Sequence, residues 1–383
     1  MFSLDQHRAH TVSGTSVTHE HPRQRGGRTR SRVRARKAFT TGGTLRILPR
    51  ADGILCSDNG DFIPDLSGLL GFIMTISYGM NTTMSDSMTV FNRSVVRLHR
   101  DRASFMMSEH DFLLREVANR LLDRLDDVMR SFPLTLDLGA RSGLLSEIIG
   151  PNNNRNKRND IEHIISCELS EAMTRANSHN AGLNCVSDEE ALPFGPETFN
   201  LVLSNLALHW VNDLPGTFIQ IRKALKPDGL LLASMFGGDT LHELRSSLAE
   251  AEIAIEGGLS PRISPFADIR DIGGLLQRAG FALPVIDSET ITVHYSDPIK
   301  LLYDLRGMGE TNAVYEKRPN ALRRETLMRA LQIYRDKFGD DEGRVPATFN
   351  ILNLSGWAPA PDQQQPLQRG TGQQSLTETF STS

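Results

Sequence analysis

From Asp111 onward the chain alternates apolar and polar positions with regular periods. Leu113, Val117, Leu121 and Leu125 recur every four residues with charges between them. That spacing predicts an amphipathic helix, which Pro133 ends. Leu134–Leu138 then predicts a short strand, followed by a glycine-bearing turn and the opening of a helix over Leu144–Ile149. Further strands are predicted over Ile161–Cys167, Leu183–Val186, Phe199–Ser204 and Leu230–Phe236. Helices are predicted over Ser170–Ala181 and Leu214–Leu225, the second stopped by Pro227-Asp228-Gly229. Strands alternating with helices imply a mostly parallel sheet covered on both faces. Past Phe236 the pattern is mainly helical, over Thr240–Ala254, Ile269–Ala279 and Pro298–Leu305, with one late strand at Ile286–Val293 where the sheet is expected to finish.

The flanks lack such periods. Residues 1 to 50 are rich in Arg, Ser, Thr and Gly and hold only Asp5 and Glu20 as acids, so 1–87 reads as a disordered or targeting extension. An Arg- and Ser-rich, acid-poor start suits a mitochondrial transit peptide, and a natural start at Met80, Met84 or Met88 is the plainer alternative. The polar run Asn152–Asp160 reads as a surface loop insertion, and 358–383 as a flexible tail. This leaves 88–357 as one domain with helical C-terminal additions. A net charge of -4 over 383 residues offers no electrostatic case for binding nucleic acid. Leu66–Met80, the longest apolar stretch, is broken by Gly71, Thr75, Ser77 and Gly79 and is too short for an integral membrane span. Cys56, Cys167 and Cys185 form no CxxC, which argues against a disulfide framework or a structural metal site and suits a reducing compartment.

Chemistry is expected where strands end, because ligands of doubly wound sheets bind beyond the carboxyl ends. Asp137-Leu-Gly139-Ala-Arg141-Ser-Gly143 stands at the end of the first strand and Glu168 at the end of the second, where a carboxylate can accept from both hydroxyls of a ribose. Asp188-Glu189-Glu-Ala-Leu-Pro-Phe194 follows the third, and Asn205-Leu-Ala-Leu-His209-Trp210 the fourth. In this order the segments resemble the motifs of class I methyltransferases, from about Phe112 to Phe281. The first motif is usually an acid followed by GxGxG, and Arg141 replaces its middle glycine. The resemblance implies a Rossmann-like α/β fold, doubly wound with helices on both faces, that holds S-adenosylmethionine. The cofactor residues it implies are Asp137, Gly139, Arg141, Gly143, Glu168, Asp188, Glu189 and Asn205. Asp188 is the first choice for the adenine amino group, and Asn205 is expected near the sulfonium. Arg141 can pair with the methionine carboxylate or obstruct it, and pairing is the expectation. His209 is a candidate general base, although a packed wall residue is the stronger expectation. As an iron ligand it would need a second histidine beside Asp213, and none stands out.

Several segments resemble one family more narrowly, the methyltransferase-like assembly factors of respiratory complex I and their alphaproteobacterial relatives. These are Leu208–Pro215, Phe236–Leu241, Pro261–Phe266, Arg270–Gly273 and Leu305–Asn312, with Met88–Arg93 similar to the family's opening. The malonyl-carrier-protein methyltransferases share the general motifs but not Arg262-Ile-Ser-Pro-Phe266. The expected function is S-adenosylmethionine-dependent methyl transfer to a protein or small-molecule acceptor, and the narrower resemblance implies as alternatives a complex I assembly factor that hydroxylates an arginine of a client subunit, or one that assembles without catalysis. The location it implies is cytoplasmic in a bacterium and the matrix side of the mitochondrion in a eukaryote. Arg262, Phe266, Arg270 and Arg306 are the expected client-binding residues, because two prolines stiffen a loop that offers a cation and an apolar anchor.

Overall fold

The structure, a computed structural model, describes residues 89–150, 160–177, 183–318, 320–361 and 363. The expected extension over 1–87, the insertion loop from Asn152 and nearly all of the expected tail lie outside the described residues.

The described chain opens with three helices, α1 (Arg93–Ala103), α2 (Met107–His110) and α3 (Phe112–Asp126). The alternating part follows as β1 (Leu134–Leu138), α4 (Leu144–Ile149), β2 (His163–Glu168), α5 (Glu171–Ala176), β3 (Asn184–Val186) and β4 (Phe199–Asn205). A 3-10 turn (Leu208–Trp210) leads to α6 (Leu214–Ala224) and β5 (Leu225–Phe236). The remainder is α7 (His242–Glu256), α8 (Ile269–Arg278), β6 (Ala282–Tyr295), α9 (Pro298–Gly307), α10 (Arg324–Phe338) and β7 (Val345–Trp357).

The strands form one seven-stranded sheet in the order β3-β2-β1-β4-β5-β7-β6. β1 to β5 are parallel, and β7 runs antiparallel between β5 and β6. Successive side chains of a strand point to opposite faces, so each strand feeds two cores. Leu201 and Leu203 of β4 enter one apolar cluster with α3, α7 and α10, while Val202 enters the other with α6 and α8. A third, small cluster holds Phe91, Val96, Leu169, Trp210, Ala313 and Val314. It fastens the start of α1, with Phe91 edge-on to Trp210 at 5.3 Å.

The mostly parallel sheet with helices on both faces is the expected one, but the sheet does not finish at β6. β7 was absent from the reading although Val345, Ala347, Phe349 and Ile351 are buried and Pro346, Thr348 and Asn350 are not, the period of a strand. Isolated at the end of a helical stretch, that alternation lacked neighbours. α10 was missed as well. β5 starts at Leu225 rather than Leu230 and takes in Pro227 and Gly229 with a register shift against β4.

Candidate functional site

Four carboxylates stand at the carboxyl ends of β1, β2 and β3. Asp137 on β1 is wholly buried, and neither of its oxygens has a hydrogen-bond partner among the described residues. Burial, with Glu168 adding repulsion, pushes its pKa up to about 8, so at neutral pH it holds a proton. Glu168 ends β2 and accepts from the backbone N–H of Arg141 at 2.9 Å and of Ser170 at 3.0 Å. Past β3, Asp188 is partly exposed while Glu189 is fully buried and turned inward.

Two arginines of α1 close this row. The Arg100 guanidinium sits between two carboxylates, with Nη1 2.9 Å from Glu168 Oε1 and 2.7 Å from Glu189 Oε1. Arg93 Nη2 reaches Asp188 Oδ1 at 2.6 Å and also pairs with Glu189. Burial alone would raise the pKa of Glu189, but the two guanidiniums pull it down to about 2. Burial likewise works against the charge on Arg100, and Glu168 and Glu189 more than offset it.

The glycine-bearing turn between β1 and α4 is shaped by packing. Gly139 has φ +74°, and a Cβ there would stand 2.2 Å from that of Ala207. Gly143 has φ +84°, and a Cβ would strike the Asn177 amide at 2.0 Å. Arg141 also takes a positive φ, of 54°. Its guanidinium does not face the carboxylate row. It donates to Met308 O at 3.1 Å and Leu206 O at 3.0 Å, and pairs with Glu310. The Arg141 guanidinium is thus engaged with a buried carboxylate and two carbonyls, while the residue also borders the cavity shared by Asp137, Gly139 and Asn205.

Glu310 gathers a second network. Beside Arg141, it accepts from His209 Nε2 and Trp210 Nε1, each at 2.9 Å. Burial opposes its charge, yet Arg141 and His209 hold its pKa at about 2. It is thus ionised and can only accept, so Nε2 is the protonated nitrogen of His209. Burial lowers the His209 pKa, which keeps the ring neutral, and it packs 4.7 Å from the Phe236 ring and 5.7 Å from that of Phe266.

Asn205 lies where β4 ends, its Nδ2 donating to Leu114 O at 2.9 Å and its Oδ1 accepting from Ser234 Oγ at 3.0 Å. It lines a cavity with Met107, Leu114, Asp137 and Gly139, of about 10 Å³. The fold thus brings Asp137, Gly139, Arg141, Glu168, Glu189 and Asn205 together, with Asp188 joined to them through Arg93. It does not gather the four expected client residues. Arg262 pairs with the buried Glu252 at 2.7 Å, and Phe266 packs on His209 and Phe236. Arg270 and Arg306 are exposed on α8 and α9.

Sequence reading missed Arg93, Arg100 and Glu310. For the arginines a signal existed, since Arg93, Arg97 and Arg100 recur at helical spacing near acid-rich strand ends. Glu310 lies in the Leu305–Asn312 segment that carries the family resemblance, but nothing local ties it to Arg141, 169 residues away.

The donor set suits S-adenosylmethionine. Asp137, buried and unpartnered, fits a cationic amino group, Glu168 fits ribose hydroxyls, and Asp188 with Glu189 fits an exocyclic amine. Among the described residues no cluster of three His, Cys, Asp or Glu is placed to hold a metal, and no helix is long and apolar enough to cross a membrane.

Residues 136–233 match the methyltransferase domain family. The arginine-hydroxylase NDUFAF5, mitochondrial, of Danio rerio is 40% identical over 295 residues, which are 76% of this chain and 89% of that protein. The malonyl-[acyl-carrier protein] O-methyltransferase of Halorhodospira halophila is 34% identical over 271 residues, 70% of this chain and 88% of that one. Among solved structures, the YcgJ protein of Bacillus subtilis aligns with a TM-score of 0.44 at 14% identity, covering 63% of this chain and 99% of that one. The chain is an S-adenosylmethionine-binding enzyme of the class I methyltransferase fold, and it belongs to the family that includes the mitochondrial arginine-hydroxylase NDUFAF5.

Proposed function

We propose that this enzyme modifies an arginine side chain of a protein client by hydroxylation, with a respiratory complex I subunit as the client. The observation that carries the reading is the 40% identity to an arginine-hydroxylase across 89% of that protein's length. Asp137 holds the amino group of the cofactor, Glu168 its ribose, and Asp188 with Glu189 its adenine, while Asn205 faces the reacting end. Gly139 and Gly143 keep the turn beneath them close to the strand ends. Arg270 on α8 and Arg306 on α9, both exposed, remain cations proposed to meet the client, with Arg262 and Phe266 in the loop before α8 as the other candidates. The location that goes with this reading is the mitochondrial matrix in a eukaryotic cell and the cytoplasm in a bacterial one.

A second reading, methyl transfer, is favoured by the match to the methyltransferase domain family and by the 34% identity to an O-methyltransferase. S-adenosylmethionine supplies an electrophilic methyl group on its sulfonium. What the chain contributes is then positioning, since no side chain need form a covalent intermediate for direct displacement. His209, neutral, with Nε2–H engaged by Glu310 and Nδ1 buried among aromatic rings, is a wall residue in both readings.

Hydroxylation puts one atom of dioxygen on the arginine and sends the other to water with two electrons from a reductant, so incubating the full chain with S-adenosylmethionine, dioxygen, an added two-electron reductant and arginine-bearing client peptides, then weighing the products, separates the two. A gain of about 16 Da on arginine is the expected result, a gain of about 14 Da supports methyl transfer, and no change overturns both.

A further inference from the structure

We infer that α1 is a displaceable plug, and that Arg100 and Arg93 occupy the nucleoside end of the cofactor site until the ligand expels them. The inference rests on the assignment of the carboxylate row to S-adenosylmethionine. Three observations carry it.

The first is placement. The acids expected to meet ribose and adenine are Glu168, Asp188 and Glu189, and α1 supplies a cationic partner to each of them. The Arg100 side chain is fully buried between two of these carboxylates, so its guanidinium stands where hydroxyl and amino groups of a nucleoside would have to donate.

The second is volume. The cavity beside Asp137, Gly139 and Asn205 measures about 10 Å³, room for a single water. Sites for ligands of nucleoside size hold about 300 Å³ or more. That cavity is bordered by Met107, Asp111 and Leu114 and by no residue of α1, so space must also open at the nucleoside end, where α1 is the element whose side chains meet the carboxylates.

The third is poor satisfaction. Both Arg100 contacts use Nη1, leaving Nε and Nη2 buried without a hydrogen-bond partner among the described residues, while Arg93 Nε has only a 3.7 Å ion pair with Glu190. Buried N–H groups without acceptors cost free energy that a better-matched occupant recovers. α1 is also weakly anchored. It spans 11 residues and buries only Val96, in the small satellite cluster, Arg100, and Ala103, whose single methyl is its one contribution to the larger core, while Arg93 Nη1 donates to Trp210 O at 3.0 Å near its start. So short a helix has little stability of its own away from its contacts. Its start is tied more firmly, since Asn212 Oδ1 accepts from the Phe91 N–H at 2.8 Å and Ala313 O from that of Asn92 at 2.9 Å. That end is the hinge about which α1 swings, and Ser170, whose hydroxyl donates to Asp101 at 2.5 Å, is the latch near its far end.

Hydrogen exchange on the full chain, with and without S-adenosylhomocysteine, tests the motion directly. Amides of α1 should exchange faster when the ligand is bound, whereas slower exchange would make α1 a cover that closes over the cofactor and would overturn the plug. Calorimetry on Arg100→Met gives a second measure, with Arg100→Lys in reserve should the first variant fold poorly. If the plug competes with the ligand, weakening it should tighten S-adenosylhomocysteine binding by about fivefold or more, because affinity scales with the fraction of molecules whose site is open. Unchanged or weaker binding by the folded variants overturns the proposal while leaving the cofactor assignment standing. If the unaltered chain and the variants all fail to bind, the assignment falls with it.

Discussion

Two buried ionic networks lie side by side in this protein, and they are satisfied to different degrees. Around Glu310 both carboxylate oxygens are used, by Arg141, His209 and Trp210, and the Arg141 guanidinium finds two backbone carbonyls besides, so that only Arg141 Nε and His209 Nδ1 lack a hydrogen-bond partner among the described residues. Along the strand ends, among the described residues, Asp137 has no hydrogen-bond partner for either oxygen, and Arg100 Nε and Nη2 and Arg93 Nε make no hydrogen bond. Buried polar groups are normally paired, and an exception needs an explanation. The contrast teaches that the Glu310 network joins three chain segments permanently, while the strand-end network is a resting arrangement to be exchanged for a ligand.

The comparison breaks first on stability. Glu310→Ala leaves the Arg141 charge buried without its carboxylate, and should cost about 3–5 kcal/mol in urea unfolding at neutral pH. A loss no larger than that of Arg100→Met would mean that the two networks do not differ as argued. The pH dependence has a definite sign. With its folded pKa held at about 2, Glu310 stabilises the protein fully above the ordinary glutamate range and loses that contribution as pH falls toward 2.

Next in size is Glu168→Ala, which should weaken S-adenosylmethionine binding by about 1–3 kcal/mol in calorimetry. The lower end is expected, because the free protein also loses its Arg100 contact. Unchanged affinity in a folded variant would remove Glu168 from the cofactor site.

Asp137 sharpens the comparison through protons. In the free protein its pKa is raised to about 8, so ligand-free stability should fall as pH rises from about 4 to 8, where the folded chain holds a proton that the unfolded chain has released. A cationic amino group requires the ionised form. Binding should therefore release close to one proton at neutral pH, and affinity should rise by up to about tenfold per pH unit below 8. Calorimetry in two buffers of different ionisation enthalpy measures this directly, and Asp137→Asn should abolish it.

The smallest effect concerns the surface. Replacing Arg270 and Arg306 together by Ala should shift stability by no more than about 0.5 kcal/mol, since both are exposed, while reducing capture of a client peptide. Arg262→Ala should cost about 1–2 kcal/mol, because Glu252 loses a close buried donor.

What the sequence determined by itself was everything governed by local period and chain order. The strand, turn and helix around Asp137–Ile149, the strand that delivers Glu168 and the strand ending at Asn205 were legible because burial on one face or two imposes a repeat on neighbouring residues. The acids at the strand ends followed from the same repeat, since a doubly wound sheet presents those positions together. Tertiary structure alone decided which partners these groups meet. Arg100 sits on an arginine-rich helix, and only its packing against Glu168 and Glu189 shows that this arginine is buried. The partner of Arg141, Glu310, lies far along the chain. The alternation of β7 was present, but its place between β5 and β6 is a long-range pairing that no local repeat encodes. The physical reason is common to all three. Periodicity records which side of an element is buried, whereas an ion pair or a strand neighbour depends on segments that meet only after the chain has folded.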